Sequence, residues 1–166
     1  MTYSNLRRRQ WPEVPDCPEK LRFITSNLLQ THVLIRKSVQ GLSDEALWRR
    51  HREDLYSIGN ALMHVCGSEH EWITHGVGGR PKVRDRDAEF ATLRGASLAQ
   101  LLATLDEQEA QTRQVLRNLT DADLQKEFQG DCSVEFILHY QAQHLAYHAG
   151  QILMLRRLQE PGFNVV

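Results

Sequence analysis

Apolar side chains recur every three or four residues in four long segments of this 166-residue chain. That spacing places them along one face of an α-helix, whereas a half-buried strand would alternate apolar and polar residues. Sustained alternation is hard to find in the sequence. The pattern therefore predicts an all-α protein, and a chain of this length is able to bury one sizeable core.

Capping residues and chain breakers set the bounds of the four predicted helices. The first begins at Asp16, which can form a capping box with Glu19, and ends before Gly41. The other three begin at serine caps and run to about Gly76, Leu119 and Pro161, starting at Ser57, Ser97 and Ser133. We expect one domain spanning residues 1–166, with residues 1–15 extended or frayed.

The segment between the second and third predicted helices is long. It runs from Gly76 to Ala96, opens with several glycines and carries the charged run Arg84-Asp85-Arg86-Asp87. Such a segment can cross one end of a bundle, whereas a tight helical hairpin needs only a few residues. We therefore predict a four-helix bundle with one long crossover between helices 2 and 3.

Charge and cysteine content argue against several function classes. Twenty Lys and Arg against 21 Asp and Glu give a formal net charge of −1, so no positive field favours nucleic acid or an anionic membrane. The three cysteines lie far apart and lack the spacing of a disulfide framework or a thiolate zinc site. No apolar run has the length of a membrane span or a secretory signal. We expect a cytoplasmic protein without a nucleic-acid or membrane partner.

A pair of histidines marks the fourth predicted helix. His144 and His148 are four residues apart, which is about 40° around a helix axis, so both imidazoles lie on one face. That face also carries Leu145 and Ile152 and points to the core. Buried imidazoles without partners would cost on the order of 1–3 kcal/mol each, and a metal ion is one partner that satisfies both.

The second helix supplies a third candidate ligand. His64 lies in the middle of its apolar stretch, whereas His70 is in a polar run and His75 is near the helix end. Three imidazoles around one divalent ion would leave a coordination position for water or substrate. Imidazole alone does not select the metal, and we expect zinc first and nickel next, with iron or manganese as further candidates. The remaining histidines are interpreted as structural or surface residues: His32, His51 and His139.

A His-Xxx₃-His pair also arises by chance, and hydrogen bonds alone can satisfy core histidines. The thiol of Cys66 is two residues past His64, about 200° around the helix, and is expected to face away from the other side chains of the site. Other groups near the site are Gln151, Tyr147 and Glu69, which could orient an imidazole or a bound anion. The alternatives are that Gln151 bonds across the bundle, that Tyr147 is a half-buried packing residue and that Glu69 is solvated. Trp72 is interpreted as core or pocket wall.

Two short motifs resemble the DinB/YfiT-like superfamily. The first is Ile58-Gly59-Asn60-Ala61-Leu62-Met63-His64-Val65, and the second is His144-Leu145-Ala146-Tyr147-His148-Ala149-Gly150-Gln151. The resemblance implies an up-down-down-up bundle, a divalent metal held by residues matching His64, His144 and His148, and a homodimer. Relatives often carry arginine where this chain has Ala149, so a role that depends on that charge is not expected here.

What the resemblance implies about activity is broad. Members of this superfamily include metal-dependent transferases of low-molecular-weight thiols and thiol-dependent isomerases. We therefore expect a thiol S-transferase or hydrolase that activates a thiol or water for attack on a small electrophile. The alternative is a non-catalytic stress-response bundle or ligand sensor with a structural metal, which a fourth protein ligand would favour. A DNA-associated role is opposed by the charge balance.

Overall fold

The computed structural model describes residues 17–165 together with Pro12 and Val14, and of Gln129 only the backbone. A 3₁₀ turn, Glu19–Leu21, leads into the first helix. The elements that follow are α1 (Arg22–Val39), α2 (Asp44–Trp48), α3 (Ile58–Glu69), α4 (Arg86–Ala91), α5 (Leu98–Arg117), α6 (Asp121–Leu124), β1 (Glu127–Gln129), β2 (Cys132–Ser133) and α7 (Val134–Gln159). A π-helical segment, His70–Val77, extends α3.

The four long helices pack side by side around one interior. Helix α1 lies mainly against α7, and α3 contacts both α5 and α7. Each of the four contributes a fully buried leucine: Leu28, Leu62, Leu105 and Leu138. The prediction of an all-α bundle is confirmed. In the part of the chain that the structure describes, no helix combines the length and apolar composition needed to cross a bilayer.

Three of the four predicted helix starts are confirmed. Ser57 and Ser97 each cap their helix and form a capping box with the residue three positions later. Ser133 accepts a hydrogen bond from the amide of Phe136 at the start of α7. The predicted cap at Asp16 and the expected fraying of residues 1–15 lie outside the described residues, apart from positions 12 and 14.

The crossover has more structure than its composition indicates. Asp85 caps α4 by accepting from the amide of Ala88. The side-chain nitrogen of Asn60 donates to the carbonyl oxygens of Glu89 and Thr92, both at 2.8 Å. The indole nitrogen of Trp48 donates to the carbonyl of Ala96 at 3.0 Å. The Asn60 bonds hold α4 against the start of α3, and the Trp48 bond attaches the end of the crossover to α2.

Two local features were not predicted. Strands β1 and β2 form a two-stranded antiparallel hairpin between α6 and α7, with Gly130 at a positive φ in its turn. The helical pattern also gives no sign of the π-helical segment after Glu69. Both depend on how the ends of neighbouring helices pack, which periodicity within one segment does not encode.

The core face of α5 is not wholly aliphatic. Gln108 and Thr112 lie buried on it. The amide nitrogen of Gln108 donates to Thr74 Oγ1 at 2.7 Å, and the Thr112 hydroxyl donates to Glu69 Oε1 at 2.6 Å. Glu69 on α3 and Thr74 in the π-helical segment therefore give the two polar residues that α5 places in the core their hydrogen-bond partners.

Candidate metal centre

The three predicted histidines meet between α3 and α7. The two helices run in opposite directions there, since His64 contacts His144 whereas Ser68, one turn later on α3, contacts the earlier Gln141 on α7. The Nε2 atom of His144 lies 3.3 Å from that of His64 and 3.1 Å from that of His148. One nitrogen from each ring lies within 4.8 Å of the other two. The three side chains thus point at one small volume.

That volume fits a metal ion. Two nitrogens each bound at about 2.0–2.1 Å to a tetrahedral zinc ion would be about 3.3 Å apart, close to the two separations observed. Three facing imidazole nitrogens cannot all be paired by hydrogen bonds among themselves, because a neutral ring carries one N–H. A cation between them would satisfy every lone pair. The arrangement therefore suits a divalent metal better than it suits mutual hydrogen bonding.

A carboxylate behind His64 fixes the orientation of that ring. Nδ1 of His64 lies 2.8 Å from Glu89 Oε2, so it donates to the carboxylate and leaves the Nε2 lone pair free. Arg84 holds the same carboxylate, with Nε 2.7 Å from Oε1 and a terminal nitrogen 2.9 Å from Oε2. Burial alone would raise the pKa of Glu89, but the bonds from His64 and Arg84 outweigh burial and lower it. Glu89 is therefore an ionised partner of His64.

Glycine at position 67 makes room for this carboxylate. A Cβ at Gly67 would collide with Oε1 of Glu89. Gly67 lies three residues after His64 on α3, so the absence of a side chain there lets α4 and Arg84 approach the helix closely. The close approach brings a crossover residue into contact with a core histidine.

A second relay orients His144. Its Nδ1 lies 3.3 Å from the Ser68 hydroxyl, and that hydroxyl lies 3.4 Å from Gln141 Oε1. A proton on Nδ1 of His144 donated to Ser68, which in turn donates to Gln141, again leaves Nε2 unprotonated and aimed at the shared volume. For His148, Nδ1 is buried without a hydrogen-bond partner among the described residues.

The electrostatics of the cluster keep the imidazoles of His144 and His148 neutral. Burial lowers the pKa of His144 to about 4, and His148 and His64 push it in the same direction. Burial, with His64 beside it, also lowers the pKa of His148 to about 4. Neutral imidazole is the form that binds a metal, so at neutral pH neither ring must lose a proton first.

An aromatic side chain lies against each of the three imidazoles. Phe90 contacts His64 with ring centroids 4.8 Å apart, Tyr140 stacks on His144 at 5.9 Å, and Tyr147 meets His148 edge-on at 5.1 Å. Phe90 is half-buried, whereas the two tyrosines are exposed. Trp72, interpreted from the sequence as pocket wall, lies half-buried beside Tyr140 at 6.1 Å.

The other residues singled out from the sequence divide into two groups. Gln151 is close to the cluster and accepts a hydrogen bond of 2.5 Å from the Tyr56 hydroxyl. Cys66 is buried and faces a groove of about 650 Å³ between α3, the crossover and α5. Its position on that groove agrees with the expectation that it faces away from the histidines, and burial raises the pKa of its thiol.

Glu69 is the residue for which the sequence interpretation was wrong. It is neither solvated nor bound to a site imidazole, but fully buried beside His32, with Oε2 2.7 Å from His32 Nε2. Its polar neighbours in sequence made an exposed position the natural reading, yet α5 and α1 both cover it. Of the histidines interpreted as structural or surface residues, His32 is buried, and His51 and His139 are exposed.

A family model describing the DinB superfamily matches residues 27–152. The chain belongs to the DinB superfamily. The matched residues of this DinB protein include all three histidines, Glu89 and Arg84. A search among curated proteins finds no match for the chain.

Sequence reasoning missed several groups that surround the histidines in this DinB protein: Arg84, Glu89, Phe90, Ser68, Tyr56 and Tyr140. The crossover residues have no periodic relation to α3, so their contact with His64 follows from the path of the crossover. One signal was available, since Asp85 before Arg86-Asp87-Ala88 is a helix-start pattern within the crossover. Ser68 is one turn after His64 and could have been placed on the same face.

Proposed function

We propose that this DinB protein binds one divalent metal ion through the Nε2 atoms of His64, His144 and His148. The observation that supports it is the convergence of three imidazole nitrogens, two of them 3.1 and 3.3 Å from the third. The hydrogen bond from Nδ1 of His64 to the carboxylate of Glu89 is of the kind that orients metal-binding histidines in many proteins. Zinc is our first choice and nickel the second, since the imidazole donors suit both.

The proposed activity is that of a metal-dependent enzyme, a thiol S-transferase or a hydrolase acting on a small electrophile. A bound ion at this position would act as a Lewis acid and lower the pKa of a thiol or water. In the described residues the metal-binding group consists of three histidines without a fourth Cys, Asp, Glu or His. Three protein ligands leave room for a reactant, which supports an enzyme over a closed structural site.

The residues of the chain have separate tasks in this proposal. Glu89 and Arg84 keep the proton of His64 on Nδ1, and Ser68 does the same for His144. Phe90 covers His64 on the crossover side and excludes water from that ring. The exposed side carries Tyr140 and Tyr147, so a small thiol or electrophile would enter there. The homodimer implied by the resemblance, the cytoplasmic location and the thiol substrate stay predictions.

Metal content tests the proposal directly. Tag-free wild-type protein, His64→Ala, His148→Ala and the control His139→Ala are purified, dialysed against zinc and nickel, and measured by mass spectrometry of the elements. His139 is exposed on the same helix as His148, so its removal tests for adventitious surface binding. We expect about one equivalent in wild type and control, and less than a tenth of that in the two site variants. Equal metal content in all four proteins, or none in wild type, would contradict the proposal.

A further inference from the structure

The exposed side of the histidine cluster is bordered by two tyrosines. Tyr140 and Tyr147 are 41% and 62% exposed, although each ring contacts an imidazole of the cluster. Both belong to α7 and are seven residues apart, which is two turns, or about 10 Å along the helix axis. His144 lies between them in sequence. Tyr140 therefore borders His144 and Tyr147 borders His148, and both rings are exposed to solvent beside the cluster.

The geometry of the two rings differs. Tyr140 is nearly parallel to the His144 ring, with an interplanar angle of 25°, whereas Tyr147 stands at 80° to the His148 ring. Tyr140 thus presents a ring that is stacked on an imidazole, and Tyr147 presents the face or edge of an exposed ring. Flat π-systems gain from both kinds of contact, and an aliphatic chain gains only from burial.

We propose that the substrate of this site carries a planar aromatic or conjugated group, which packs against the exposed surfaces of Tyr140 and Tyr147 while its reacting end meets the metal. This inference rests on the proposed function and adds the substrate class. Tyr140 and Tyr147 are its specificity-determining residues. Their hydroxyl groups are not required, because the packing uses the rings.

Two metal-binding probes that differ in one group separate the contribution of an aromatic ring from that of metal binding. Benzohydroxamate and acetohydroxamate share the same chelating end, and only the first carries a ring. Each is titrated into Co²⁺-loaded protein, whose absorption spectrum reports a ligand that joins the ion. We expect benzohydroxamate to bind wild type at least tenfold more tightly than acetohydroxamate, and each tyrosine to account for about threefold to tenfold of that preference.

Matched variants on α7 assign the preference to the rings. Tyr140→Ala and Tyr147→Ala should each reduce the ratio of the two dissociation constants, while Tyr147→Phe keeps it. The control is Phe136→Ala, since Phe136 is an exposed aromatic residue one turn before Tyr140 without a ring contact to the three histidines among the described residues. Light scattering on every variant reports whether the number of subunits has changed.

The outcomes separate the two proposals. Equal binding of both hydroxamates to wild type, or a ratio that survives both alanine variants, overturns the substrate class and leaves the metal site standing. If an alanine variant loses the preference for benzohydroxamate and its molar mass also changes, the tyrosines belong to an interface between copies of the chain. That outcome also overturns the substrate class. If neither hydroxamate changes the spectrum, the open coordination position is contradicted, and the proposed function falls with this inference.

Discussion

The two histidine clusters on the core side of α3 have opposite chemistry. In the first, His64 faces two other imidazoles, and the pKa values of His144 and His148 are lowered to about 4. In the second, His32 lies between two carboxylates, with Glu69 at 2.7 Å and Glu109 at 3.3 Å. Burial alone would lower the pKa of His32, but Glu69 and Glu109 outweigh burial and raise it to about 9.

The groups that face a buried histidine decide whether its ring is neutral or charged. Both nitrogens of His32 point at carboxylates on different sides of the ring, so the ring is a cation that joins α1, α3 and α5. In the first cluster one nitrogen of each ring points at the same small volume, and no carboxylate of the described residues shares it. Convergent neutral imidazoles favour an added cation, whereas an imidazole between carboxylates already is one.

The largest expected effect comes from breaking the second cluster. Glu69→Leu leaves the buried His32 cation with only part of its compensating charge, from Glu109, and Thr112 without its acceptor, and we expect a loss of about 3 to 5 kcal/mol in the free energy of unfolding. Urea unfolding followed by circular dichroism measures it. Metal content should stay at the wild-type value, because Glu69 bonds to His32 and Thr112 rather than to the three site histidines.

Two further variants test the origin of that loss. Glu107→Leu removes an exposed glutamate from α5 and should change stability by no more than about 0.5 kcal/mol. Replacing the pair together, His32→Leu with Glu69→Leu, should recover part of the stability, because Glu109 keeps Arg36 and Arg113 as partners and no buried charge is left unpaired. A loss below about 1 kcal/mol for Glu69→Leu would contradict a buried ion pair.

A pH titration distinguishes the clusters with a somewhat smaller effect. A pKa of about 9 for His32 in the folded chain, against 6.5 as its ordinary value, means that its contribution is fully present below pH 6.5 and is lost as pH rises through about 9. We expect the free energy of unfolding to fall by on the order of 1.4 kcal/mol per pH unit in that window. The charged groups around His32 are Glu69, Glu109 and, through Glu109, Arg36.

The measurement uses metal-free protein in a chelator, so that metal binding does not follow the pH. In the unfolded chain His144 and His148 titrate near their ordinary pKa of 6.5, against about 4 in the folded chain, so the stability that they add as pH rises is nearly complete by about pH 7.5 and they add little slope above it. The double variant His32→Leu with Glu69→Leu should show a nearly flat profile between about pH 7.5 and 8, above which the buried thiol of Cys66 begins to add a slope of its own. A slope that persists in the double variant would assign the effect to other groups.

Sequence reasoning was strongest where a residue's partners share its own helix. The four long helices, the caps at Ser57, Ser97 and Ser133, and the shared face of His144 and His148 all follow from spacing within one segment. His64 was selected by its depth in an apolar stretch, and the structure places it with the other two. The contacts of Glu69 with His32 and of Glu89 with His64 were missed because the partners are 37 and 25 residues apart in sequence, on different helices.

Glu89 provides a second contrast between the two clusters. A glutamate beside a histidine forms an ion pair at His32, yet at His64 the same contact leaves the second ring nitrogen free, because there the opposite nitrogen faces imidazoles. Removing Glu89 should therefore weaken metal binding rather than abolish the fold. We expect Glu89→Ala to raise the dissociation constant for zinc by about 10- to 100-fold.

Competition with a chromophoric chelator gives that constant for wild type, Glu89→Ala, Glu89→Gln and the control Asp87→Ala, an exposed acid of the same short helix. Glutamine can still accept the proton of His64 Nδ1 but lacks the charge, so its loss should be intermediate between wild type and alanine. Loss of the same size in Glu89→Gln and Glu89→Ala would mean that charge, and not orientation of the ring, sets the affinity. An affinity unchanged in Glu89→Ala would reduce the crossover to a packing element, and the two clusters would then differ only in what faces their imidazoles.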